Sequence, residues 1–124
     1  MLSEARSKLD MADFLMQKDD AYLPGAMNHI LQAALIAVKA LTKIDDKTAG
    51  SPQLVKNALS RMKQAESDEF ATDFRELWKL SSKRHLNNSD VSKAHKKVKS
   101  FVMWVEEELI EDEGQKNLGR ETST

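Results

Sequence analysis

A chain of 124 residues with no cysteine, four glycines and two prolines has the length of one domain, able to bury a single core without covalent staples. The lack of cysteine excludes disulfides, thiolate metal sites and a cysteine nucleophile, and removes any argument for secretion; the opening MLSEARSKLD is charged within its first four residues and has no apolar export core, so we expect a cytoplasmic protein. A net charge of −1 excludes a surface that binds polyanions all over, and any such site must be local.

Scarce glycine and proline, with abundant Ala, Leu, Lys and Glu, favour helix throughout. The first helix is expected from about Ser3 to Lys18, with Ser3 as N-cap and Glu4 in the first turn, where the helix dipole favours an anion. Ala5, Leu9, Ala12 and Met16 make its apolar stripe, widened by Leu15. Asp19 and Asp20 end it. Pro24 belongs in the first turn of the next helix, where its missing N–H is no loss.

The stretch Leu23 to Ile44, LPGAMNHILQAALIAVKALTKI, is apolar nearly all round, which marks a helix buried between others. About 20 residues would also span a bilayer by length. Asn28, His29, Gln32 and Lys39 interrupt it and would be costly in lipid, so it is expected to be a core helix, with no membrane involved. Its alanines let neighbours approach closely. The polar residues Asn28, His29 and Gln32 need an internal hydrogen bond or a dimer interface.

The segment IDDKTAGSPQ reads as a polar loop, and Ser51-Pro52 as a cap followed by proline at the first helical position. Leu54, Val55, Ala58, Leu59, Met62 and Ala65 follow at helical spacing. Ser67-Asp68-Glu69 reads as a second start, so we expect this third helix to be split there; Phe70, Phe74, Leu77 and Trp78 carry the stripe onward. After the loop SSKRHLNNSD, a last helix capped by Ser89 or Asp90 carries Val91, Ala94, Val98, Phe101, Val102, Val105 and Leu109, ending near Ile110. The expected fold is all-α, an up-and-down four-helix bundle over residues 1–111, with a polar, frayed tail over 112–124.

These signals resemble the HEPN family of small helical bundles in prokaryotes. The resemblance lies in Ala5-Leu9-Ala12-Leu15 of the first helix; in Tyr22 and Ala26 leading to Lys39-Ala40-Leu41; in Phe70, Leu77 and Leu80 running into a loop with Arg84; and in Ser92, Ala94, Phe101 and Val105 of the last helix. It spans about residues 3–110 and rests on helix order and apolar spacing. It implies a homodimer. It also implies either a ribonuclease, with an Arg followed four to six residues later by a His, or a partner of a small nucleotidyltransferase in a toxin–antitoxin or substrate-binding pair. Arg84 takes the Arg position, but Asn88, Ser89 and Asp90 stand where the His is required. His85 and His95 fall outside that spacing. The departure is at the catalytic residue, so nuclease activity is doubtful and a binding role is less affected.

The residues themselves point to a basic segment: Lys83, Arg84 and His85, then Lys93, Lys96 and Lys97, with His95 and Lys99 among them. Glu106 to Glu108 and Glu111 to Glu113 crowd the other end of that helix, against the dipole at both ends. This arrangement calls for compensation, either from acidic partners on the first or third helix or from a bound anion. Two readings stand: a solvated basic face with local ion pairs, or a site for RNA or nucleotide in which Arg84 grips phosphate and His85 moves a proton. No catalytic residue is assigned beyond the candidates Arg84 and His85. Trp104 falls between faces, either packed in the core or presented as a partner or stacking surface. His29, His85 and His95 are too scattered for a metal, and no cofactor motif occurs. The alternative to nucleotide or RNA binding is a non-enzymatic, homodimeric protein-interaction module.

Overall fold

The computed structural model describes the backbone of residues 2–122 and the side chains of residues 2–111. Among the described residues there is no strand. The chain forms α1 (Ser3–Met16), a single 3-10 turn (Asp20–Tyr22), α2 (Leu23–Thr42), α3 (Asp46–Ala49), α4 (Pro52–Arg61), α5 (Ala65–Ser81) and α6 (Asn88–Thr122). It is an all-α helical bundle, as the periodicity predicts.

α2 packs against every other helix. Leu23, Ala26, Met27, Ile30, Ala33, Ala34, Ala37 and Val38 are buried on it. Four of these are alanines, so the neighbouring backbones come close without large side chains between them. By length and composition α2 is the one helix among the described residues that could cross a membrane; its buried face lies against α1, α5 and α6. Pro24 sits in its first turn, as expected. Lys43 closes it in the left-handed conformation (φ 63°), its N–H bonded to Lys39 O at 2.9 Å.

Contacts along the helices give their directions. Leu2 meets Glu106, Leu9 meets His95 and Met16 meets Asn88, so α1 and α6 run antiparallel. Gln64 meets Glu108 and Asp73 meets Lys97, so α5 is also antiparallel to α6. The core joins these helices through Leu9, Leu59, Phe70, Phe74, Leu77, Val98, Phe101 and Val105.

Several boundaries differ from the sequence expectation. Leu2, not Ser3, occupies the α1 N-cap position, and no side chain caps it. The loop after α2 contains the one-turn helix α3, capped by Asp45, whose carboxylate accepts from Thr48 N–H at 2.7 Å. Hydrogen bonds from the Thr48 side chain and backbone hold the Asp45 carboxyl below its ordinary value. The third helix is split, but over residues 62–64, ahead of the expected Ser67. Lys63 turns the chain there with φ 55°. Ser67 is buried inside α5, donating to Gln64 O at 2.9 Å, so its hydroxyl serves the first turn and starts no new helix. The helical backbone of α6 continues to Thr122, past the expected end near Ile110. The side chains of the tail expected over 112–124 lie outside the described residues.

On α2 the polar residues do not share a buried network. Asn28 is exposed, Gln32 is half-buried, and His29 Nδ1 is buried with no hydrogen-bond partner among the described residues.

Candidate functional site

The loop between α5 and α6 is held at both ends by local capping. Ser81 and Ser82 hydroxyls donate to Trp78 O at 2.7 and 3.3 Å, closing α5. Asn87 opens α6, its Oδ1 accepting from Asp90 N–H at 2.8 Å; the cap is Asn87, where Ser89 or Asp90 was expected. Asn88 ties this end to α1, its Nδ2 donating to Met16 O at 3.3 Å while its Oδ1 accepts from the Ser92 hydroxyl. The side-chain amides thus satisfy groups that helix ends leave open.

Between these anchors Lys83, Arg84 and His85 are exposed, and among the described residues no hydrogen bond or ion pair holds the Arg84 guanidinium. It does not cap α5. The residues at helical positions past it are Asn88, Ser89 and Asp90, already occupied with capping or without basic character.

The lysines of α6 lie between two acidic rows. On one side α5 presents Glu66, Glu69, Asp73 and Glu76, spaced three, four and three apart on one face. Lys83 and Lys93 share a cleft of about 220 Å³ with Asp73, Glu76 and Asp90. Lys96 and Lys97 share another of about 310 Å³ with Glu66, Glu69 and Asp73. Lys97 Nζ reaches Asp73 Oδ1 at 3.2 Å. On the other side, a cleft of about 420 Å³ sets His95 and Lys99 against Asp10 and Asp13 of α1. His95 Nε2 lies 3.0 Å from Leu9 O, a carbonyl that can only accept, so this nitrogen carries the proton.

The candidate residues are therefore only partly assembled. Lys83 joins Lys93, and Lys96 joins Lys97, in adjoining clefts, whereas Arg84 and His85 line neither. At the basic end of α6 one counter-charge is in contact, Asp73 of α5 with Lys97, while the other carboxylates of α5 and those of α1 line the neighbouring clefts. The four-carboxylate spacing on α5 is the sequence signal for them, although periodicity alone does not say which helix they face.

At the acidic end of α6, Glu106 has its own counter-charge. Glu106 is buried, and its carboxylate takes Arg6 Nε at 2.8 Å, Arg6 Nη2 at 2.7 Å and Leu2 N–H at 3.4 Å. Burial pushes its carboxyl up, but the Arg6 hydrogen bond, the Leu2 N–H and the Arg6 charge outweigh it, and the net direction is down. No feature of the sequence pairs residues so far apart. Trp104 is half-buried against Phe101, with ring centroids 5.9 Å apart. No group of three or more His, Cys, Asp or Glu among the described residues is placed to hold a metal ion.

No family model, curated protein or solved structure matches this chain.

Proposed function

We propose that this chain is a non-catalytic binding module: a HEPN-like bundle that works in the cytoplasm through contacts with other proteins, including a second copy of itself. A small nucleotidyltransferase is the partner its resemblance implies. The observation that supports this reading is the set of α5 carboxylates beside the lysines of α6, of which Lys97 is paired with Asp73 at 3.2 Å. Lys93, Lys96 and Lys97 stand beside carboxylates of α5, so a phosphate backbone approaching them would meet negative charge. The missing His after Arg84 argues in the same direction. Exposed apolar side chains on α1 (Met11, Phe14) and α6 (Met103, Ile110) supply surface for protein contact.

A second reading, binding of RNA or nucleotide, is favoured by one feature: Lys83, Arg84 and His85 are exposed together at the loop tip beside Lys93. Labelled RNA incubated with the pure protein at low and moderate salt separates the two. Intact RNA, unshifted at moderate salt, is the expected result. A salt-sensitive shift abolished in Arg84→Ala would establish the second reading. Cleavage lost in Arg84→Ala would overturn the non-catalytic reading altogether.

A further inference from the structure

The cleft between α5 and α6 holds chemistry that the packing of the two helices leaves unused. Its floor is aromatic. Phe70 and Phe101 stack with centroids 3.7 Å apart and planes within 4° of parallel, and Trp104 leans on Phe101. Trp104 keeps part of its surface open to the cleft. One lip carries Glu66 and Glu69, both exposed and, among the described residues, without a hydrogen bond or ion pair. The Lys97–Asp73 pair crosses the cleft, and Lys96 and Ser100 form the opposite lip.

Two free carboxylates beside an indole surface select for a cation. The ring quadrupole attracts positive charge, and Glu66 and Glu69 add to it. A guanidinium fits this set better than an ammonium, because it is planar, stacks on aromatic rings and offers forked donors to carboxylates. A nucleobase could stack on Trp104, but its phosphates would be repelled by Glu66 and Glu69, and Lys97 is already engaged by Asp73. We propose that the α5–α6 cleft is a docking groove for an arginine-bearing segment of a protein partner. The guanidinium lies against Trp104 between the groove floor and the Glu66–Glu69 lip, and Lys96 meets an acidic residue of the same segment. The proposal rests on the reading of this chain as a protein-binding module and names the chemistry of its partner.

The test uses the full chain carrying Trp78→Phe, which leaves Trp104 as the one fluorescent tryptophan of the two in the sequence. Octa-arginine is titrated at about physiological salt, where diffuse surface attraction is damped. The expected result is a saturable change in Trp104 emission. Glu66→Gln/Glu69→Gln should weaken it about fivefold, the scale of two partly exposed charge contacts. Asp10→Asn/Asp13→Asn, on the far side of α6, should leave it unchanged. Both double variants alter exposed side chains, and far-ultraviolet circular dichroism checks that each is folded. A silent Trp104, equal weakening by both double variants, or an equal response to octa-glutamate or oligouridylate would each overturn the proposal. RNA cleavage by the protein would sink the binding-module reading and leave the peptide result standing. Intact RNA with a silent Trp104 would sink the cleft alone.

Discussion

Arg6 and Glu106 join the start of α1 to α6 through a two-nitrogen fork, at 2.8 Å from Nε and 2.7 Å from Nη2. The carboxylate side chain is 9% exposed and the Arg6 side chain 62% exposed, so the pair is half in water. Solvent on the Arg6 side reduces its worth below that of a buried pair. Because the folded-state pKa of Glu106 lies below its ordinary 4.5, its stabilisation is present above that value and is lost as pH falls through the folded pKa. Glu106→Gln should cost about 1 kcal/mol at about pH 7 and progressively less as the pH is lowered through the folded pKa, compared between about pH 7 and the lowest pH at which the protein stays folded. Urea unfolding at the two pH values measures this; a gap that stays constant would show that the charge of Glu106 is not what stabilises the joint.

The alanines of α2 set how closely α1, α5 and α6 approach it. Ala34 is fully buried. Enlarging it in Ala34→Leu should destabilise the bundle by about 1–3 kcal/mol, because the added carbons have no void to enter. A fall in the thermal midpoint checks this, and an unchanged midpoint would mean that α2 is less tightly enclosed than described.

Phe70 and Phe101 are the aromatic contact between α5 and α6, 3% and 5% exposed. Phe101→Ala should cost about 3–5 kcal/mol, a large part of the stability of a domain this size. In a cycle with Phe70→Leu and Phe101→Leu, the coupling should be about 0.5–1.5 kcal/mol. Additive losses in denaturant melts would count against a direct ring–ring term.

Asn87 holds the first turn of α6 by accepting from Asp90 N–H. Asn87→Ala should cost about 1 kcal/mol. Arg84→Ala, three residues earlier on an exposed loop, should change stability by less than about 0.5 kcal/mol. Comparing the two melts separates a structural loop residue from one available for binding.

Much of this fold is legible in the residues. The apolar excess between Leu23 and Ile44 marks the central helix, Pro24 and Ser51-Pro52 mark helix starts, and the stripes Ala5-Leu9-Ala12 and Val91-Ala94-Val98 are the buried faces observed. Local rules failed where several residues could serve the same end. Ser67, Ser89 and Asp90 are all acceptable caps by type, and the backbone chose Gln64 and Asn87 positions instead. Asn28 looks buried on a helix so apolar, yet it falls on the uncovered side.

An all-helical chain, the order of its main helices and the helix at its centre are written in the local residue pattern. These follow from spacing within a few turns, where each residue's neighbours are its own near neighbours in the chain. What the charges face depends on the packing of distant helices. Lys97 meets Asp73 across 24 residues and Arg6 meets Glu106 across 100, and nothing periodic links such positions. A basic stretch that reads from the sequence as either a solvated face or an anion site lies, in the fold, beside carboxylates of α5 and α1. Charge acts through space at short range, so which groups a charge meets depends on which helices lie side by side.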